Sequence, residues 1–228
     1  MGNDNFHKKR KSRIIGKKKH EHKAVLIALE DKKSSKYYFE TLIKDKGFTG
    51  QIVFAKHIGT NPKKVLEALE KYKQENKKTK FEKEWIVIDK DDWSRDEFLG
   101  IMETARQKNI CVAFSNESYE LWILLHFERI TAYTSREDIN RKVNHYFLER
   151  FRVEYSKSSQ DIYAFIIGLQ KEAIKNAEYL VERCISDEGK IKPFDKNPLT
   201  MVHELVKCLN TFYDDEKECK CFPINLED

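Results

Sequence analysis

The chain has 228 residues, 40% of them hydrophobic and 36% charged, with a net charge of +5. That length holds one α/β domain with a modest appendage and leaves no room for a separate cofactor domain. Fourteen Phe, ten Tyr and three Trp supply a packed core and exclude disorder of the bulk, while eight Gly and four Pro are too few for a collagenous, low-complexity or turn-dense all-β chain.

Residues 1–23 carry nine Lys/Arg against Asp4 and Glu21, a local charge of +7 that leaves the remainder at −2. The chain therefore divides into a basic arm over 1–22, a domain over 23–213 and a tail over 214–228. Such an arm either contacts phosphates through counterion release or is simply solvated. Next, the apolar run Ala24 to Leu29 predicts a strand buried on both faces, hence parallel. Ser34 or Ser35 can cap a helix to about Asp45 that Lys46-Gly47 ends, and residues 51–57 alternate as a second strand. Asn61-Pro62 opens a second helix running into a lysine-rich stretch, Trp85 to Ile88 is a third strand, about 95–108 is helical, and Ile110 to Phe114 is a fourth strand. Strands alternating with helices predict an α/β fold: a parallel sheet of about four strands flanked by helices.

From Ser115 onward only helices are expected, over about 117–128, 136–147, 161–185 and 198–213, with a loop at 186–197. The five cysteines, Cys111, Cys184, Cys208, Cys219 and Cys221, are odd in number and scattered, which fits reduced thiols and a cytoplasmic protein. Cys219-Lys-Cys221 lacks the second ligand pair that a structural zinc requires. No apolar run approaches the roughly twenty residues of a membrane span, so no membrane association is expected.

Ligands of open α/β sheets bind beyond the carboxyl ends of the strands, and carboxylates gather there. Glu30 and Asp31 end the first strand, and Asp89-Lys90-Asp91-Asp92 ends the third, with Asp89 and Asp91 pointing the same way. Clustered carboxylates repel one another unless a cation is present, and hard oxygen donors suit Mg²⁺ or Mn²⁺. The plainer alternative is that these residues cap helices or face water. Glu120 lies in the apolar helical run Tyr119 to Phe127, so it needs a metal, a basic partner or a raised pKa. A core Glu–Lys pair satisfies it equally well. His126, about 120° away around that helix, reads as a core histidine.

The runs Leu26-Ile-Ala-Leu-Glu30, Trp85-Ile-Val-Ile-Asp-Lys-Asp-Asp92 and Ser115-Asn-Glu-Ser-Tyr-Glu-Leu-Trp-Ile-Leu-Leu-His-Phe127 resemble the RloB family, with Tyr155-Ser-Lys157 and Asn197-Pro-Leu-Thr-Met-Val202 following in order. That family is similar to TOPRIM domains, whose metal-dependent site is a Glu after the first strand and an Asp-x-Asp after a later one. The resemblance implies a TOPRIM-like sheet with additional C-terminal helices. It also implies a Mg²⁺- or Mn²⁺-dependent nuclease acting on DNA or RNA, the effector of an anti-phage system beside an ABC-type, RloA-like ATPase.

Glu30, Asp89 and Asp91 would hold the metal, with Glu120 as a further ligand or proton acceptor. Asp92, Asn116 and Lys157 would support those ligands or contact phosphate. Family members typically read Glu-Gly and then Thr-Glu where this chain has Glu30-Asp31 and Ser34-Ser35. That departure keeps a second reading open, a catalytically degenerate regulatory or sensor subunit of such an ATPase. Oligomeric state is left open as well, a homo-oligomer included.

Overall fold

A computed structural model describes residues 24–31, 33–47, 52–54, 62–90, 93–185, 190–212, 214 and 225–226. The arm, the Asp91-Asp92 pair and Cys219-Lys-Cys221 lie outside the described residues. The elements run β1 (Ala24–Leu29), α1 (Ser34–Asp45), β2 (Ile52–Phe54), α2 (Pro62–Glu75), β3 (Phe81–Asp89), α3 (Arg95–Gln107) and β4 (Cys111–Asn116). There follow α4 (Glu120–Leu124), α5 (Arg136–Phe151), α6 (Ile162–Ile166), α7 (Gln170–Cys184), β5 (Lys190–Ile191), β6 (Leu199–Thr200), α8 (Val202–Asn210) and β7 (Asn225–Leu226).

The first four strands pair in parallel, in the order β2-β1-β3-β4, and β6 adds an antiparallel edge beside β4. Alternation along the strands feeds two cores. Val25, Ile27, Trp85, Val87, Cys111 and Ala113 face one side, under α1 and the C-terminal helices. Leu26, Ala28, Ile86, Ile88, Val112 and Phe114 face the other, under α2 and α3. Burial on both faces is what an unbroken apolar strand requires. It makes the expected α/β architecture, four parallel strands flanked by helices with further helices at the C-terminal end, the architecture of the molecule.

Local chemistry sets several boundaries differently from the sequence pattern. Neither Ser34 nor Ser35 caps α1. The Asp31 carboxylate does, accepting from the Lys33 N–H at 2.8 Å, the Ser35 N–H at 2.8 Å and the Ser34 hydroxyl at 2.7 Å. Gly47, at φ +69°, terminates the helix as expected. The helix expected over 117–128 is regular only over α4, because His126 and Phe127 N–H groups bond three residues back, to Ile123 and Leu124, and tighten the last turn. The helix expected over 161–185 is interrupted by a 3₁₀ turn at Ile167–Leu169.

The helix expected from Pro198 starts only at Val202, since Leu199 and Thr200 pair with Asn116 and Ser115 as β6. The Thr200 hydroxyl donates to the Phe114 carbonyl at 3.1 Å and accepts the Val202 N–H at 3.2 Å, so strand end and helix start share one group. Against the expectation of reduced thiols, Cys111 and Cys208 are each disulfide-bonded. Both are buried in the core, Cys111 on β4 and Cys208 on α8. Cys184 is the free cysteine among the described residues, and among those residues no helix is long and apolar enough to cross a membrane.

Candidate metal and phosphate cleft

Register places the ends of β1 and β3 side by side. Leu29 pairs with Val87, and the Glu30 N–H continues the ladder to the Val87 carbonyl at 3.0 Å. The Glu30 side chain then folds over the neighbouring strand, its Oε2 accepting the Asp89 N–H at 3.0 Å. These two carboxylates open into a cleft of about 310 Å³, also lined by Asp31, Lys33, Ser34, Ser118, Tyr119, Glu120, Arg136 and Lys157. The cleft lies beyond the carboxyl ends of the parallel strands, where this class of sheet binds its ligands.

The two strand-end acids are electrostatically strained. Burial pushes Glu30 up to about 7, and nearby Asp31 adds to the rise, against the relief from the Asp89 N–H and Arg136. Asp89 is held well above the usual carboxylate range by burial first and then by the charges of Glu120 and Glu30; the Tyr119 backbone N–H opposes this. Two acids that resist ionisation side by side are what a cation would relieve.

Glu120, only 1% exposed, is treated differently. Lys157 Nζ lies 2.8 Å from its Oε2, while its Oε1 accepts the Tyr155 hydroxyl at 3.2 Å and lies 3.0 Å from the Ser34 hydroxyl, whose one proton it shares with Asp31. The alternative of a core Glu paired with Lys is thus realised in the geometry, at the cleft wall. Tyr155 reaches it because Asn144 Oδ1 accepts its backbone N–H at 2.9 Å, anchoring the segment to α5.

Of the residues singled out from the sequence, Glu30, Asp89, Glu120 and Lys157 meet in this cleft. Asp91 and Asp92 lie outside the described residues. Asn116 is not among the lining residues: it is buried at the end of β4, with its amide turned to the carbonyls of residues 193–196. His126 is a core residue, its Nδ1 2.9 Å from the Trp122 carbonyl oxygen and its pKa lowered to about 4 by burial. Lys33 and Arg136 carry no cue of their own, since a lysine before a helix and an arginine at a helix start both read as solvated charge. Ser34 signalled only a cap, and Ser118 and Tyr119 only their places in a motif.

All donors here are hard oxygens, which fit Mg²⁺ or Mn²⁺ and disfavour zinc or copper. Ser118 and Tyr119 line the same wall, but their Oγ and Oη are buried, without a hydrogen-bond partner, behind its surface. Among the described residues no three acidic, His or Cys side chains are close enough to hold a metal by themselves. A complete ligand set therefore needs a donor beyond Glu30 and Asp89, the position that Asp91 was expected to fill.

No curated protein and no solved structure matches the chain significantly. The family model described as RloB-like protein matches residues 25–209, a span that contains every cleft residue named above. On that match over most of its length, the chain belongs to the RloB-like protein family.

Proposed function

We propose that this protein is a TOPRIM-type, Mg²⁺- or Mn²⁺-dependent phosphodiesterase that cleaves nucleic acid, the effector of an anti-phage system partnered by an ABC-type ATPase. The observation that carries the chemistry is the pairing of Glu30 and Asp89 at adjacent parallel strand ends, strained by burial and mutual charge in an open cleft with cations on its rim. The defence context and the ATPase come from the family resemblance alone.

Glu30 and Asp89 would hold the cation, with Asp91 as the further donor. The bound ion would polarise the scissile phosphate and supply an activated water. Lys33 and Arg136 line the same cleft and suit the non-bridging oxygens of a phosphodiester. Glu120, held by Lys157, Tyr155 and Ser34, is fixed where it can order a ligand water or accept a proton.

A specific observation favours the second reading, a catalytically degenerate regulatory subunit. Asp31 is consumed in capping α1, and Glu120 is already neutralised by Lys157. One experiment separates them: incubation of the purified chain with labelled DNA, mRNA fragments and tRNA, with and without Mn²⁺ and the ATPase. Mn²⁺-dependent cleavage that disappears in Asp89→Asn supports the nuclease. Stable association with the ATPase, without cleavage of any substrate, supports the regulator.

A further inference from the structure

Asn116 ends β4 at 2% exposure, its backbone in register with Leu199. Its side-chain amide donates to the Lys196 carbonyl at 2.8 Å and the Phe194 carbonyl at 3.1 Å, and lies 3.5 Å from that of Pro193. A primary amide has two N–H donors. Both are taken by one loop, and neither remains for a phosphate.

That loop reaches back to the site. The Lys90 ammonium and the Arg95 guanidinium both lie over the Phe194 ring, 4.6 and 5.3 Å from its centre. Phe194 also packs on Phe98 of α3, with ring centres 6.1 Å apart, and Asp195 forms an ion pair with Arg95. Lys90 directly follows Asp89, and its N–H donates to the Ser115 carbonyl at 2.8 Å. Arg95 begins α3. The two ends of the β3–α3 connection are therefore gripped by one aromatic ring on a loop whose own backbone hangs on Asn116.

We propose that Asn116, acting through the 193–196 loop, is a positioning residue that fixes the carboxyl end of β3 and so holds Asp89 against Glu30. Its functional meaning rests on the reading of Glu30 and Asp89 as a cation-binding pair. Cation–π contacts and a surface ion pair are individually weak. They act together here because the amide has already set the loop's position, so losing the amide releases all of them.

The test uses the full chain and three variants: Asn116→Asp, which is nearly isosteric but turns a carboxylate toward the loop carbonyls, Phe194→Leu, and the surface change Arg95→Gln. Without metal, hydrogen exchange at the Asp89 and Lys90 amides should quicken at least tenfold in Asn116→Asp and Phe194→Leu, and less in Arg95→Gln, with Ile27 of β1 unchanged. Calorimetry should show Mn²⁺ affinity falling at least tenfold in the first two, with the double variant no weaker than either single one.

Unchanged exchange at Asp89 and Lys90 in Phe194→Leu and Arg95→Gln overturns the brace, even if Asn116→Asp does not fold. Quickened exchange with wild-type Mn²⁺ affinity overturns its positioning role. A wild type that takes up no Mn²⁺ strikes the cation reading instead, and the exchange data still decide the brace.

Discussion

On the helical wall of the cleft, Glu120 has a lysine, a tyrosine and a serine about its two oxygens; on the strand wall, Glu30 has one backbone N–H and Asp89 another, and the nearby charge of Arg136 only partly offsets the burial of Glu30. Buried acids thus fall into two kinds. A carboxylate whose lone pairs and charge are answered from within the chain stabilises the fold, whereas one left with mutual repulsion is a cost that a ligand can remove. Glu120 belongs to the first kind, and Glu30 and Asp89 to the second.

Asp89→Asn breaks the strand wall and should have the largest effect. Cleavage should fall by about 10³-fold or more if these acids hold the metal, and the rise in Tm that Mn²⁺ gives the wild type should vanish. Metal-free stability should be unchanged or higher, because a neutral amide no longer repels Glu30 and Glu120. A variant that keeps the full Mn²⁺-induced rise shows that the strand wall binds no metal.

Lys157→Met makes the helical wall resemble the strand wall by stripping Glu120 of its cation. Lys157 is 45% exposed while the Glu120 side chain is 2% exposed, so the loss from an unpaired buried charge is discounted for solvent screening to roughly 1–2 kcal/mol. Chemical denaturation at pH 7 measures it. Adding Glu120→Gln should restore most of the stability; if it does not, the pair is not what stabilises that wall.

Glu30→Gln should change how stability depends on pH. With its pKa raised to about 7 from 4.5, Glu30 in the folded chain keeps a proton that the unfolded chain releases. Its contribution to stability is thus full below pH 4.5 and lost as pH rises through 7. His126 acts oppositely. Lowered to about 4 from 6.5, it stabilises above pH 6.5, and that contribution is lost as pH falls toward 4. In metal-free protein, Glu30→Gln should therefore add roughly 1–3 kcal/mol at pH 8 and should lose stability more steeply than wild type between pH 6.5 and 4.5. Parallel pH–stability curves for the two proteins would mean that Glu30 ionises freely.

The smallest effect concerns neither wall directly. Deleting the arm over 1–22 should weaken nucleic-acid binding and flatten its salt dependence while leaving the relative affinities for different sequences unchanged. An unchanged log–log salt slope would assign the arm to solubility.

The strand wall was legible because its logic is one-dimensional. An unbroken apolar run must be buried on both sides, its end is fixed by the first charged residue, and Glu30 and Asp89 are those residues. Glu120 was legible for the complementary reason, as a charge inside an apolar helix, and its partner Lys157 stood in a motif. What could not be read depends on distant pieces meeting. β6 is two residues long and has no period of its own; it exists because Thr200 finds Ser115 and Phe114. Lys33 and Arg136 acquire meaning only once α1 and α5 are set around the same cleft. Asp31 reads from the sequence as a strand-end acid that departs from the family's Glu-Gly, yet the geometry makes it the cap that α1 otherwise lacks.

The late strand β6 has a consequence for synthesis. Chains emerge from the ribosome at about 5–20 residues per second, so β1 to β4 are outside well before residues 199–200. Until then Val25, Trp85 and Ala113 lack much of their helical cover, and the open edge of β4 has no partner. A chain stalled at residue 150 already carries Glu30, Asp89 and Glu120, but not Lys157, Phe194 or Thr200. Such a fragment is exposed to chaperones and proteases while its cleft is incomplete, so the cleft is closed on all sides only after the last third of the chain has been made.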